Sequence, residues 1–195
     1  MKSIIAALII SLIALSASAQ EHLKVKGIPI DGNVNTFVNK LRNAGLKHNT
    51  LFSEKLGRTI LEGDFAELRN CKWAFLSTEN GTVCKVIIMS DSITGWLSCK
   101  NKYNEMKNLF STKYELIGSY EYFTTPYYEG DGYELSALAQ KKGDWQCFFK
   151  SEEGVINLVL DAADTREGYI NISYEDNINM AKYTEERDKR ISDDI

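Results

Sequence analysis

The residues able to do chemistry are few and scattered in this chain of 195 residues. It has two histidines, His22 and His48, and four cysteines, Cys71, Cys84, Cys99 and Cys147. No GxSxG, HExxH or CxxC pattern occurs, and no cysteine has a histidine nearby in sequence. Nucleophilic, zinc and dithiol chemistry therefore lack their usual spacing. Both histidines are read as solvated or structural. Carboxylates are plentiful, and a facing pair could act as acid and base on a glycoside. The candidates are Glu129 and Asp131, with Asp161, Asp164 and Glu167 further along. Nothing in their spacing raises one above the others, so no catalytic residue is assigned. The Asp161–Glu167 stretch lacks the strict EF-hand spacing for calcium. No metal site and no cofactor are expected.

Gly27-Ile-Pro-Ile-Asp-Gly32 stands directly before a helical pattern and has the outline of a phosphate-cradling loop. A P-loop needs Lys and Ser/Thr after its second glycine, whereas Asn33 and Val34 stand here. Pro29 removes a backbone donor and Asp31 would set a negative charge beside the phosphate. A structural reading fits each position. Leu23, Val25 and Ile28 mark a strand, Pro29 to Gly32 turn the chain, and Asn33 caps a helix. Val34, Phe37, Val38, Leu41 and Ala44 share one helical face. Gly45 then takes the left-handed position, with Leu46 placed to touch Leu41 in a Schellman ending. ATP and GTP are not expected to bind.

The segment Tyr120-Glu-Tyr-Phe-Thr-Thr-Pro-Tyr-Tyr-Glu-Gly-Asp-Gly-Tyr133 is the most suggestive in the chain. Tyrosine offers rigid apolar area with a polar tip, which suits protein and glycan interfaces. Tyr120 and Tyr122 alternate on one face of a strand and are expected to pack there. Tyr127, Tyr128 and Tyr133 lie beside Pro126, Gly130 and Gly132 and are the candidate binding residues. Packing into the core is the competing reading for these three.

The elements around these residues follow an α+β pattern. Thr59–Glu62 reads as a strand, and Lys72–Thr78 with Val83–Met89 as a hairpin about Asn80-Gly81. A two-residue turn there makes paired positions sum to 161, which sets Cys84 opposite Ser77 and Cys71 about 20 Å away at strand rise. A Cys71–Cys84 bond then needs a bulge. Both cysteines share the predicted core face with Trp73, Phe75, Val86 and Ile88. Buried thiols and one disulfide through Cys99 remain alternatives, with Cys147 the odd member.

Asp91 or Ser92 is expected to cap a long helix with Cys99, Tyr103, Met106 and Phe110 on one stripe. A strand follows over Leu116–Phe123, then a short helix over Glu134–Lys141. Trp145–Lys150 and Val155–Leu160 form a second hairpin, and Tyr169–Tyr174 a last strand. The order gives a loose two-fold repetition without residue-level identity. Helices are expected on one face of an antiparallel sheet.

Met1–Ala19 carries Lys2, an apolar run over Ile4–Leu15 and Ala17-Ser18-Ala19, the pattern of a cleaved leader with Gln20 as the new N-terminus. The apolar run falls short of the roughly 20 residues that span a bilayer. Residues 20–179 are read as one domain and 180–195 as a charged tail or frayed helix. The net charge of −4 becomes −5 without Lys2, so the basic footprint of nucleic-acid binding is missing.

The run HLKVKGIPIDGNVNTFVNKLRNAG resembles the start of a group of secreted, uncharacterised proteins from gut anaerobes. Trp96, Tyr103, Met106-Lys107, Leu109 and Lys113-Tyr114 resemble that group's second long helix, with Glu115 in place of its usual glycine. The resemblance implies a fold like that of the β-lactamase inhibitor protein, with helices on one face of an antiparallel sheet. It implies no catalytic residues.

The expectation is an exported, non-catalytic binding or inhibitor-like protein of the periplasm or cell exterior. Its partner would be a protein, peptide or glycan of the envelope, and the mature chain would have no stable membrane insertion. The alternative is a small hydrolase acting on glycan or peptide through the loop carboxylates.

Overall fold

The computed structural model describes residues 21–195. The predicted leader and its cleavage before Gln20 lie outside them. The chain opens with a two-stranded hairpin, β1 (Lys24–Val25) and β2 (Ile28–Pro29). Its turn residues Lys26 and Gly27 both have positive φ, at 50° and 76°. That is the twist a two-residue hairpin turn requires, so Gly27 serves the hairpin.

Helix α1 (Val34–Asn43) is capped by Asn33, whose side chain accepts the Asn35 N–H at 2.9 Å. It ends as its sequence predicts. The Leu46 N–H reaches the Leu41 carbonyl at 3.2 Å and the Gly45 N–H reaches Arg42 at 3.0 Å, the two bonds of a Schellman motif. After β3 (Lys47–His48) comes α2 (Thr50–Leu56), capped by Asn49 and stopped by Gly57 at φ 63°. The next strands are β4 (Leu61–Phe65), β5 (Leu68–Ser77), β6 (Val83–Met89) and β7 (Ile93–Thr94). Helix α3 (Trp96–Ser111) leads into β8 (Glu115–Phe123) and the short α4 (Glu134–Ala139). Strands β9 (Gly143–Lys150), β10 (Gly154–Ala162) and β11 (Glu167–Asp176) run into α5 (Asn177–Asp193).

The protein is α+β. Nine strands form an antiparallel sheet in the order β3-β4-β5-β6-β11-β10-β9-β8, with β7 paired to β11. Two meanders meet where β6 lies beside β11, which is the loose repetition in the element order. One sheet face, with Trp73, Ile88, Ile172, Leu158 and Phe149, packs under the buried residues of α1, α3 and α4. Fully burying such a side chain contributes about 1.5–3 kcal/mol.

The first hairpin register is as expected, with Trp73 opposite Ile88 and Phe75 opposite Val86. A bulge at its turn end changes the cysteine prediction. Ser77 pairs with Val83 instead of Cys84, so Val83 takes the core position. Cys84 is buried outside the main core cluster, near Glu175 and Glu186. All four cysteines are free and buried. Helix α3 also starts differently from expectation. Gly95 stands at its N-cap without a side-chain cap, because Ile93 and Thr94 are held as a short strand against Gly168 and Glu167.

Residues 180–193 are not a loose tail; they belong to α5. Asp176 caps that helix by accepting the Asn179 N–H at 2.9 Å, and it also accepts the Leu23 N–H at 2.9 Å. His22 Nδ1 lies 3.1 Å from the same carboxylate. The Asn179 amide donates to the Ile30 carbonyl at 3.0 Å. The start of the described chain and its last helix are thereby tied through one buried polar cluster.

Candidate functional site

Strand β8 is the last of its sheet among the described residues, so one side of its backbone has no strand partner among them. Natural edges are commonly blunted by lysine or proline, and β8 (ELIGSYEYF) has neither. Its one irregularity is a bulge between Leu116 and Gly118. Tyr120 and Tyr122 lie opposite Gln146 and Asp144, on the face without α1, α3 and α4. They are 52% and 53% exposed. The sequence predicted that this pair would pack. Neither is buried, because β8 lies at the sheet edge and its second face is open; Tyr120 meets the Phe148 ring edge-on, at 6.2 Å between centroids. Leu116 and Ile117 are exposed on the same strand.

The chain runs from β8 directly into the tyrosine loop, residues 124–133. Internal bonds order this loop. Asp131 accepts the Tyr128 N–H at 3.0 Å and the Tyr133 N–H at 2.7 Å. The Gly130 N–H donates to the buried Glu134 carboxylate at 2.8 Å, and the Thr124 N–H donates to the Lys142 carbonyl at 2.7 Å. Glu129 pairs with Lys100 of α3, whose ammonium also sits 5.6 Å from the Trp145 ring centroid. On this frame Tyr128 and Tyr133 are 64% and 62% exposed. Tyr127 differs: it is half-buried, with its hydroxyl 3.4 Å from Gln140 Oε1.

The candidate acid–base carboxylates are occupied individually. Asp161 pairs with Lys141 at 2.6 Å and accepts the Tyr169 hydroxyl at 3.2 Å. Asp164 caps its own turn by accepting the Arg166 and Glu167 N–H groups at 2.7 and 2.9 Å. Those two bonds hold its carboxyl below the usual aspartate range. Glu167 lies in β11 opposite Thr94. Among the described residues, no group of three or more His, Cys, Asp or Glu side chains could hold a metal.

The fold does bring together one pair that sequence reasoning missed. His48 Nε2 lies 3.0 Å from Ser53 Oγ, beside an open groove of about 720 Å³. Its bonding opposes nucleophile activation. The Ser53 hydroxyl donates to the Asn49 carbonyl at 2.7 Å, while the Ile60 N–H donates to it at 2.9 Å. The hydroxyl's one proton is thus committed to the helix, and His48 is left as a donor to Ser53. The other ring nitrogen faces Thr50 Oγ1 at 3.5 Å, not a carboxylate. The arrangement latches α2 to β4.

A second polar cluster pins α3 to the edge strand. Lys107 Nζ lies 2.5 Å from Glu121 Oε1, which also accepts the Ser119 hydroxyl at 2.8 Å and the buried Tyr103 hydroxyl at 3.1 Å. Burial alone would raise the Glu121 pKa, but the hydrogen bonds and the Lys107 charge hold it below the usual glutamate range. Burial pushes the Tyr103 phenol well up, and the adjoining Cys147 and Glu121 push the same way. Lys107 Nζ also donates to the Ser119 hydroxyl oxygen at 2.9 Å. Comparison of the chain with known protein families, with curated proteins and with solved structures finds no match.

Proposed function

We propose that this chain is an exported, non-catalytic binding protein that engages a protein or peptide of the cell envelope through the β8 edge and the tyrosine loop. One observation carries the reading: two widely exposed tyrosines stand on a loop ordered by its own hydrogen bonds, continuous with an unpaired strand edge. Ordering a surface before binding removes much of the entropy cost of association. An open strand edge supplies main-chain bonds to an extended partner, and alternate side chains supply choice of sequence.

The test is a photo-crosslinking residue placed at position 128 in the native host, with position 51 as control. A discrete crosslinked protein or peptide is expected from position 128 alone. Binding of that partner should weaken at least tenfold in Tyr128→Ala with Tyr133→Ala. Each single alanine should cost less than about 0.5 kcal/mol of stability. Equal labelling at both positions, a glycan as the only bound species, or unfolding of the single variants would refute the reading. Export is tested separately by intact mass: the protein from its host should begin at Gln20.

A further inference from the structure

The second sheet face carries a cavity that the tyrosine surface does not use. It holds about 360 Å³ between α2 and the sheet. That lies within the range of about 300–1,000 Å³ typical of small-molecule pockets. Ala74, Ile87 and Met89 form its floor, and Phe52 and Leu56 of α2 form its roof. Three cations line it: Lys55 of α2, Arg58 just beyond that helix, and Lys72 of β5, whose ammonium lies 6.0 Å from the Phe52 ring centroid. Lys72 is shared with Asp91 at 3.2 Å, whereas Lys55 and Arg58 form no ion pair among the described residues.

The far end holds an unpaired polar group. Asn171 lines the cavity, and its amide oxygen is buried without a hydrogen-bond partner. A buried acceptor left unbonded destabilises the fold, and a donor on a ligand would recover that loss. Lys72, Met89 and Asn171 are directly opposite one another on successive strands. Two strand spacings therefore separate Lys72 from Asn171, about 10 Å. The cavity has a positive mouth, an apolar middle and an acceptor at the far end.

We propose that this cavity binds a small amphipathic carboxylate that carries a hydrogen-bond donor at its apolar end. The carboxylate meets Lys55 and Arg58, the hydrocarbon lies over Ala74, Ile87 and Met89, and the donor reaches Asn171. Charge complementarity selects this occupant, because an uncharged apolar ligand would leave the cations unused.

Calorimetric titration with ω-hydroxydecanoate, decanoate and decan-1-ol tests the proposal on the full mature chain. Saturable one-site binding is expected for ω-hydroxydecanoate, at least fivefold tighter than for decanoate or decan-1-ol. Asn171→Leu should abolish the preference for the hydroxyl. Ala74→Phe, which fills the floor, and Lys55→Glu with Arg58→Glu, on the exposed rim, should each weaken binding at least tenfold. The rim variant retains the packed core and answers the question if Ala74→Phe fails to fold. No saturable binding, equal affinity for acid and alcohol, or binding unchanged by the rim variant would overturn the proposal. Self-association that these substitutions abolish, without ligand binding, would assign the cavity to a second copy of the chain and also overturn it.

Discussion

Replacing Glu121 with glutamine should weaken the protein at neutral pH and leave it nearly unchanged in acid. Three side chains, Lys107, Ser119 and Tyr103, converge on one oxygen of this carboxylate. Hydrogen bonds to charged groups contribute about 1.5–3 kcal/mol each in favourable cases. Glu121 keeps 29% of its side-chain exposure and Lys107 22%, so solvent screening reduces the sum strongly. A net loss of about 1.5 kcal/mol is expected, or about 3–6 °C in Tm for a chain of this size. The pKa of Glu121 is depressed in the fold. Its contribution is therefore complete above the unfolded value of about 4.3 and disappears as pH falls through the lower folded value. Urea unfolding of wild type and Glu121→Gln at pH 7 and pH 3 measures this directly. A double-mutant cycle with Lys107→Met isolates the pair. A difference of the same size at both pH values, or none at pH 7, would refute the electrostatic account.

Two further outcomes follow from packing. Gly154→Ala should cost about 2–3 kcal/mol, the upper part of the overpacking range. The added Cβ would stand 2.2 Å from the Glu175 carbonyl oxygen and 2.9 Å from Leu23 Cδ2; a urea midpoint matching wild type would contradict that strand approach. Burial raises the Cys71 and Cys84 thiols to about 11, so at pH 8 only about one part in a thousand is thiolate. Iodoacetamide should label them at least a hundredfold more slowly in the native state than in denaturant, where four thiols should be counted; a count of two or fewer would mean a disulfide.

Local chemistry was legible in the sequence wherever a residue's role depends on its near neighbours. Asn33 and Gly45 mark the ends of α1 because capping is decided within a turn. Asn80-Gly81 marks the place of the hairpin turn for the same reason, with Gly81 at φ 82°. The bulge that turns Cys84 away was not legible, since alternation alone presumes an unbroken ladder. Helix α2 was missed although Asn49 and Gly57 bracket it. Its seven residues are too few to show a period, and its apolar side covers the cavity described above, not the main core. Sequence alternation alone packs Tyr120 and Tyr122, because a strand's place in the sheet order is not written in the strand. The same holds for His48 and Ser53, which meet across a cap, and for the row from Lys72 to Asn171, which exists only once β11 lies beside β6.

The cluster joining Leu23, Ile30, Asp176 and Asn179 also has a consequence in time. A ribosome makes Leu23 long before Asp176, whose carboxylate is the acceptor for its amide. Until β11 and the first turn of α5 emerge, the opening hairpin holds buried-type residues, Leu23, Val25 and Ile30, without their final neighbours. Their closure across 153 positions of sequence cannot precede the synthesis of Asp176. Such distant pairing slows folding, because the loop must close before its contacts repay the lost entropy. A nascent chain halted before Asp176 should stay open at its N-terminal end, accessible to proteases and to any export machinery that handles unfolded polypeptide.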